Sequence, residues 1–268
     1  MTLIDAAFDL FFRPFRDSNP AYAIAAISFL TGLVTLLTFR YASNQVTMRR
    51  IKDRIQAHVL EVRLFPDQLS VVWRAYGQVM RFTLSYLAQS LKPLLILLVP
   101  MIVLMAQLDL RFSRTPLRPG DSFLLKVKLT EPQTLDANAL RLPEGLTLTA
   151  PPLNIRALRE VDWRIRADRR GDFAPAVVTA GQAFTKQVVV SGSTTRLSPE
   201  RARTSMEEWL LDPGEKALPR NGPLETLEVN YAPRSIDLGL FQTEWWVLFL
   251  VVSLVSALVL KIVLRIEI

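Results

Sequence analysis

Three stretches of this chain, residues 21–39, 94–106 and 245–260, hold no charged side chain, and they limit what it can fold into. A bilayer core about 30 Å thick is crossed by roughly 20 helical residues rising about 1.5 Å each. The first stretch is long enough as it stands. The third becomes so when Lys261 extends its ammonium to the headgroups while its stem stays buried, and it then continues to Leu264. The second is short alone, but extended back through Phe82, Leu84, Tyr86 and Leu87 and forward to Leu108 it also spans. An apolar share of 50% beside 21% charged residues is ordinary in bulk, so the clumping is what points to three transmembrane helices.

Composition narrows the chemistry. The chain has no cysteine and a single histidine, His58, set among charges. Disulfides and thiolate metal sites are thereby excluded, and a histidine-based triad has no support. Asp162, Asp168, Asp172, Glu207, Glu208 and Asp212 show neither a histidine partner nor a recognisable metal spacing and are expected to be surface charge. We therefore expect no catalytic residue, no metal site, no cofactor and no enzyme activity. The net charge of +7 is spread along the chain. It suits contact with anionic lipid better than specific binding of nucleic acid.

Orientation follows from where the cations fall. Between the first two spans lie Arg40, Arg49, Arg50, Lys52, Arg54, Arg63, Arg74, Arg81 and Lys92, against only Asp53, Glu61 and Asp67. A short basic loop stays in the cytoplasm. In a bacterial inner membrane this places the N-terminus in the periplasm and the C-terminus in the cytoplasm. Lys261 and Arg265 then mark the inner end of the last helix, and Trp245 and Trp246 its outer interface. Residues 1–20 lack the basic start of a signal peptide. Leu3, Ala7, Phe8, Phe11, Phe12 and Phe15 instead recur at helical spacing, as in an amphipathic interfacial helix or one packed on other helices of the same protein.

The segments expected are residues 21–40 as the first span, 41–81 as a cytoplasmic helical hairpin, 82–110 as the second span, 111–243 as an outer β-rich domain, 244–264 as the third span and 265–268 as a cytoplasmic tail. In the hairpin, Met48, Ile51, Ile55, Val59 and Val62 form one apolar stripe and Leu69, Val72, Trp73, Tyr76, Val79 and Met80 another, with Asp67 as a possible N-cap between them. Such stripes serve either as the core between two helices or as a recruitment surface. Within 111–243, residues 122–130, 146–149, 161–166, 177–178 and 185–190 are short runs rich in branched apolar side chains. Turn signals at 117–121, 142–145 and 169–172 punctuate them. A small antiparallel sandwich-like domain with Trp163 as core anchor is expected. Ser198 and Pro199 read as the start of a short helix over 198–211, and residues 224–231 as a last strand. The fold class is thus a membrane α-helical protein, with three transmembrane helices and a cytoplasmic hairpin, plus an extracytoplasmic all-β sandwich-like domain.

Residues 40–111 resemble the YidC/Oxa/Alb insertase superfamily. The likeness lies in the Met48–Arg49–Arg50–Ile51–Lys52–Asp53–Arg54–Ile55–Gln56 start of the hairpin and in Lys92–Pro93, the apolar run after it, and Pro100–Met101 at the start of the returning helix. The outer domain departs from the three-span members, which lack one, and from bacterial YidC, whose β domain precedes the core helices. The resemblance implies a polar, cytoplasm-open groove in a thinned bilayer that lowers the cost of passing polar segments. Its candidates here are Ser28, Thr31, Thr35, Thr38, Arg40 and Gln107, with Arg49, Arg50, Lys52 and Arg54 as the basic face of the hairpin. Hydrogen bonding of the hydroxyls to their own helix is the alternative for that row.

Two functions follow as expectations. One is a YidC-like membrane-protein insertase or chaperone whose partners are the lipid bilayer and nascent membrane proteins. The other is a non-catalytic anchored scaffold whose outer domain binds a partner protein, such as another membrane-complex subunit.

Overall fold

The computed structural model describes residues 3–42, 45–203, 215, 217–239 and 241–263. Its helices are α1 (Leu3–Phe12), followed by a 3-10 turn at Arg13–Phe15, α2 (Pro20–Ala42), α3 (Gln45–Leu64), α4 (Leu69–Phe112) and α5 (Trp245–Val263). Three of them, α2, α4 and α5, are long and apolar enough to cross a membrane, and a separate β-rich region accompanies them. The chain forms two compact units: Met1–Ile24 with Val103–Val247, which carries the strands, and Ala25–Ile102 with Leu248–Ile268, which is helical.

In the helical unit, α4 runs unbroken across residue 81, the expected boundary between hairpin and second span. The second arm of the hairpin and the span are one helix of 44 residues, about 66 Å long. No Gly–Pro break or polar cluster interrupts it near 81, so nothing ends the hydrogen-bond ladder there. Pro93 and Pro100 lie inside this helix, and the missing N–H of each leaves one carbonyl four residues earlier without its usual donor. The cap position of α4 falls on Gln68 rather than Asp67. The Gln68 carbonyl accepts from Val71 N and Val72 N, each at 3.0 Å. Where α3 meets α4, the ring of His58 stacks on Phe82 at 5.7 Å, and the Arg54 guanidinium lies 5.4 Å from the same ring. Against α2, a β-carbon on Gly32 would stand 2.8 Å from the Ser253 carbonyl of α5 and 3.1 Å from Ser256 Cβ. Small side chains let these two helices approach at that point.

In the other unit, the strands are β1 (Ser122–Leu129), β2 (Leu140–Arg141), β3 (Leu146–Leu148), β4 (Leu153–Ile155), β5 (Glu160–Ala167), β6 (Gly171–Phe173), β7 (Ala176–Thr179), β8 (Gln182–Thr185), β9 (Val188–Val190), β10 (Glu200–Ala202), β11 (Leu224–Val229), β12 (Ile236–Asp237) and β13 (Gln242–Thr243). The main sheet runs β10-β11-β1-β5-β3, with β4 also on β5; β2-β7-β8, β6-β9 and β12-β13 form smaller sheets, and all these pairings are antiparallel. Alternation decides the core. Val161, Trp163, Ile165 and Ala167 of β5 are buried with Phe123, Leu125, Val127 and Leu129 of β1, and one cluster joins them to Val177, Phe184 and Val188 of the smaller sheets. Two predicted turns meet: Arg169 donates to the Glu144 carbonyl at 2.9 Å, beside Gly145 at φ +102°. A side chain there would collide with Arg169 and Phe173, which explains the glycine.

The predicted run 185–190 splits. Thr185 ends β8, Val188 begins β9 in another sheet, and Lys186 lies buried between them. Beyond 231, the β12–β13 pair was not foreseen, because two-residue strands leave no periodic signature. The helix predicted from Ser198 is a strand at its start. Ser198 Oγ donates to the Glu200 carbonyl, and Glu200–Ala202 pairs with β11. Once Val229 N donates to Pro199 O at 2.8 Å and Arg203 N to Glu225 O at 3.1 Å, the ladder has claimed this backbone. The rest of that helix, residues 204–211, lies outside the described residues, as do Leu264 and the tail 265–268.

The N-terminal segment is fastened to the β-bearing unit. Phe12 is buried edge-to-face on Phe112 at 5.4 Å, Thr194 N donates to Arg16 O at 3.1 Å, and Asn19 Nδ2 donates to Asp237 O at 3.3 Å. Part of the aromatic face of α1 is thus spent on the protein's own packing, whereas Leu10 remains exposed. Asn19 also opens α2, its Oδ1 accepting from Ala21 N at 2.9 Å, as an N-cap asparagine does.

Candidate functional site

The hydroxyl row of α2 is largely satisfied locally. Thr31 Oγ1 donates to the Ile27 carbonyl at 2.8 Å and Thr38 Oγ1 to the Val34 carbonyl at 2.9 Å. Ser28 is fully buried and Thr35 half-buried. Arg40 is exposed, 5.9 Å from the Tyr41 ring centre. Gln107 belongs to the β-bearing unit, where its Oε1 accepts from Arg111 Nη1 at 2.7 Å. Arg49, Arg50, Lys52 and Arg54 are exposed along α3.

The outstanding feature of the helical unit is a stripe the sequence reading had merged with the hairpin core. Leu69, Trp73, Tyr76, Met80, Leu84, Leu87, Leu91, Leu95, Leu98 and Ile102 are all exposed, Leu69 at 71% and Trp73 at 75%. Their spacing repeats every 11 residues, three turns plus about 20°, so they form one nearly straight line along α4. The side of α4 turned inward is carried by Ala75, which is buried, and by half-buried Val72, Val79 and Phe82. Beside the stripe, one residue on, come Arg74, Arg81 and Lys92, all exposed. From Leu69 to Ile102 the line is about 50 Å long. Containing it in about 30 Å of hydrocarbon would need a tilt above 50°, outside the roughly 0–40° found for transmembrane helices. The line is therefore longer than one hydrocarbon layer can hold at such tilts, and each large apolar side chain left in water forgoes about 1.5–3 kcal/mol.

The β-bearing unit holds a second cluster, at the end of α4. Arg111 is 3% exposed and ion-paired with Asp9 of α1. It donates further to the Gln107 backbone carbonyl at 3.1 Å, and its guanidinium lies 5.9 Å and 5.6 Å from the rings of Phe8 and Phe12. Beside it opens a cavity of about 320 Å³ lined in part by Arg16, Arg111, Arg196, Asp172, Thr195 and Ser198. A depression of about 470 Å³ shares Arg16, Asp172 and Thr195 and adds Arg170, Asp17 and Ser193. Nearby, Lys186 is fully buried, donating to Ser198 O at 2.7 Å and paired with Glu215. Burial also acts on Arg234, lowering its pKa, and on Tyr231, whose hydroxyl accepts from Val189 N at 3.2 Å and is pushed up to about 12. Of these, the sequence had singled out Phe8 and Phe12 as one face of a helix, Asp172 as surface charge and Ser198 as a helix start, but not their meeting.

On the main sheet, Asp162 is pushed up to about 6, first by burial and then by the hydrogen bond and charge of Glu160, with Glu228 adding to the shift and Lys126 opposing it. Its ordinary value is 3.8, so between pH 4 and 6 the unfolded chain gives up this proton while the folded one retains it. The group's contribution therefore favours the folded state at low pH and declines as pH rises through that window. Melting of the full chain in detergent from pH 4 to 7 should show Asp162→Asn gaining on the wild type as pH rises. Parallel curves would refute the assignment.

No family model, no curated protein and no solved structure matches this chain.

Proposed function

We propose that the chain is a YidC-like insertase or chaperone of membrane proteins in a bacterial inner membrane, with the α3–α4 hairpin in the cytoplasm and the β-rich unit in the periplasm. The observation that carries this reading is the exposed stripe of α4. An apolar line that begins beyond the hydrocarbon and continues into it without a break offers an entering transmembrane segment a partner at every depth. The segment exchanges water for protein and then for lipid, and never exposes its whole apolar surface at once. Arg74, Arg81 and Lys92 beside the stripe supply attraction for acidic flanks and lipid headgroups. The local hydrogen bonds of Thr31 and Thr38 favour this route over a groove lined by the α2 hydroxyls. Photocrosslinkers at Trp73 and Met80 should capture nascent membrane proteins of many sizes in cells, whereas one at Leu153, exposed on β4, should not. A single stable adduct at Leu153 with none at Trp73 would favour the scaffold instead.

A further inference from the structure

We propose that the cleft between α3 and α4 of the hairpin is a binding site for a phosphate group. Arg54, His58 and Glu61 recur one turn apart on α3, as do Arg74, Gln78 and Phe82 on α4, so each set shares one face of its helix. The two faces line one cavity of about 580 Å³, within the roughly 300–1,000 Å³ of small-molecule sites. Its charges do not cancel. Among the described residues neither Arg54 nor Arg74 has an ion-pair partner, and the one carboxylate on the lining, Glu61, accepts from His58 Nδ1 at 2.9 Å. The hairpin around the cleft also carries more cations than carboxylates, so its field draws an anion in. A guanidinium from each wall suits a phosphate better than a carboxylate. One fork satisfies both oxygens of a carboxylate, whereas a tetrahedral oxyanion has acceptors left for a second fork. The amide of Gln78, half-buried on the α4 wall, supplies a further donor. On the α3 wall, the Arg54 guanidinium lies 5.4 Å from the centre of the Phe82 ring, and His58 stacks on that ring at 5.7 Å. This aromatic support orders one fork before a ligand arrives and lowers the cost of binding. Binding there requires no client, so the site stands whether or not the stripe of α4 receives one.

A phosphate can arrive free in solution or as the headgroup of a lipid, and the two sources are separable. The full chain, purified in a neutral detergent, is titrated by calorimetry with sodium phosphate against matched sodium chloride, and separately with short-chain phosphatidylglycerol below its micelle concentration. Saturable binding of phosphate, with phosphatidylglycerol no more than about tenfold tighter, assigns a soluble source. Phosphatidylglycerol more than about tenfold tighter, or binding alone, assigns a lipid headgroup. Arg54→Gln with Arg74→Gln, both on the lining, should weaken the bound ligand about tenfold or more, as loss of charge-assisted hydrogen bonds does. Arg63→Gln, which removes a charge of α3 outside the lining, should change affinity less than about twofold. Failure of both ligands to saturate, a double variant with wild-type affinity, or equal weakening by Arg63→Gln would overturn the proposal. A double variant that melts early in chloride is replaced by Arg74→Gln alone, for which undiminished binding counts equally against it.

Discussion

Asp9→Ala should destabilise the β-bearing unit by about 2 kcal/mol, less than breaking a fully buried pair costs, because the Arg111 guanidinium is buried but the Asp9 side chain is 38% exposed. Arg111 is 3% exposed, so water reaching it through the adjoining cavity replaces the carboxylate only in part, and the Gln107 oxygens it donates to are neutral. Asp9→Leu with Arg111→Leu should recover most of the loss. Removing both charges also removes the desolvation that made the pair costly, and the site already holds Phe8, Phe12 and Phe112 to pack against. The check is a double-mutant cycle in denaturant, followed by hydrogen exchange at β-sheet amides. Additive losses would show that Asp9 and Arg111 do not act as a unit.

Trp163→Ala should cost a further class of energy, about 3–5 kcal/mol of lost burial and cavity formation. Trp163 is fully buried at the centre of β5, paired with Leu125 of β1. Its indole Nε1 is buried without a hydrogen-bond partner among the described residues. Trp163→Phe therefore gives up packing volume but no hydrogen bond, and should retain a cooperative transition. Far-UV dichroism of urea melts separates the two variants. Equal losses for alanine and phenylalanine would mean that the indole nitrogen is held after all.

The sequence was most readable where one physical requirement acts over many residues. Charge-free stretches located α2, α4 and α5, and two-residue alternation located β1 and β5, the latter with Trp163 at its centre. It was least readable where tertiary pairing overrides a local signal. Ser198–Pro199 has the chemistry of a helix start, yet the open edge of β11 outbids it. The end of β8 and the start of β9 look like one strand, yet they lie in different sheets with the buried Lys186 between them, paired with Glu215. The candidate groove fared in the same way. Thr31 and Thr38 were visible as a polar row that either lines a groove or bonds to its own helix, and only the structure shows their hydroxyls donating to the Ile27 and Val34 carbonyls. The stripe on α4 was half visible. Leu69, Trp73, Tyr76 and Met80 stood out as apolar at helical spacing, but only their exposure separates them from half-buried Val72 and Val79.

The insertase reading rests on that stripe, and reconstitution tests it most directly. The purified chain in liposomes of bacterial lipid is supplied with a single-span membrane protein made by cell-free translation, and the protease-protected fraction is measured. The wild type should raise protection several-fold over empty liposomes. Trp73→Asp with Met80→Asp, which charges the first half of the stripe, should return it to the empty-liposome level while the helical dichroism is unchanged. Protection no higher than in empty liposomes, or equal insertion by the charged variant, would contradict the account.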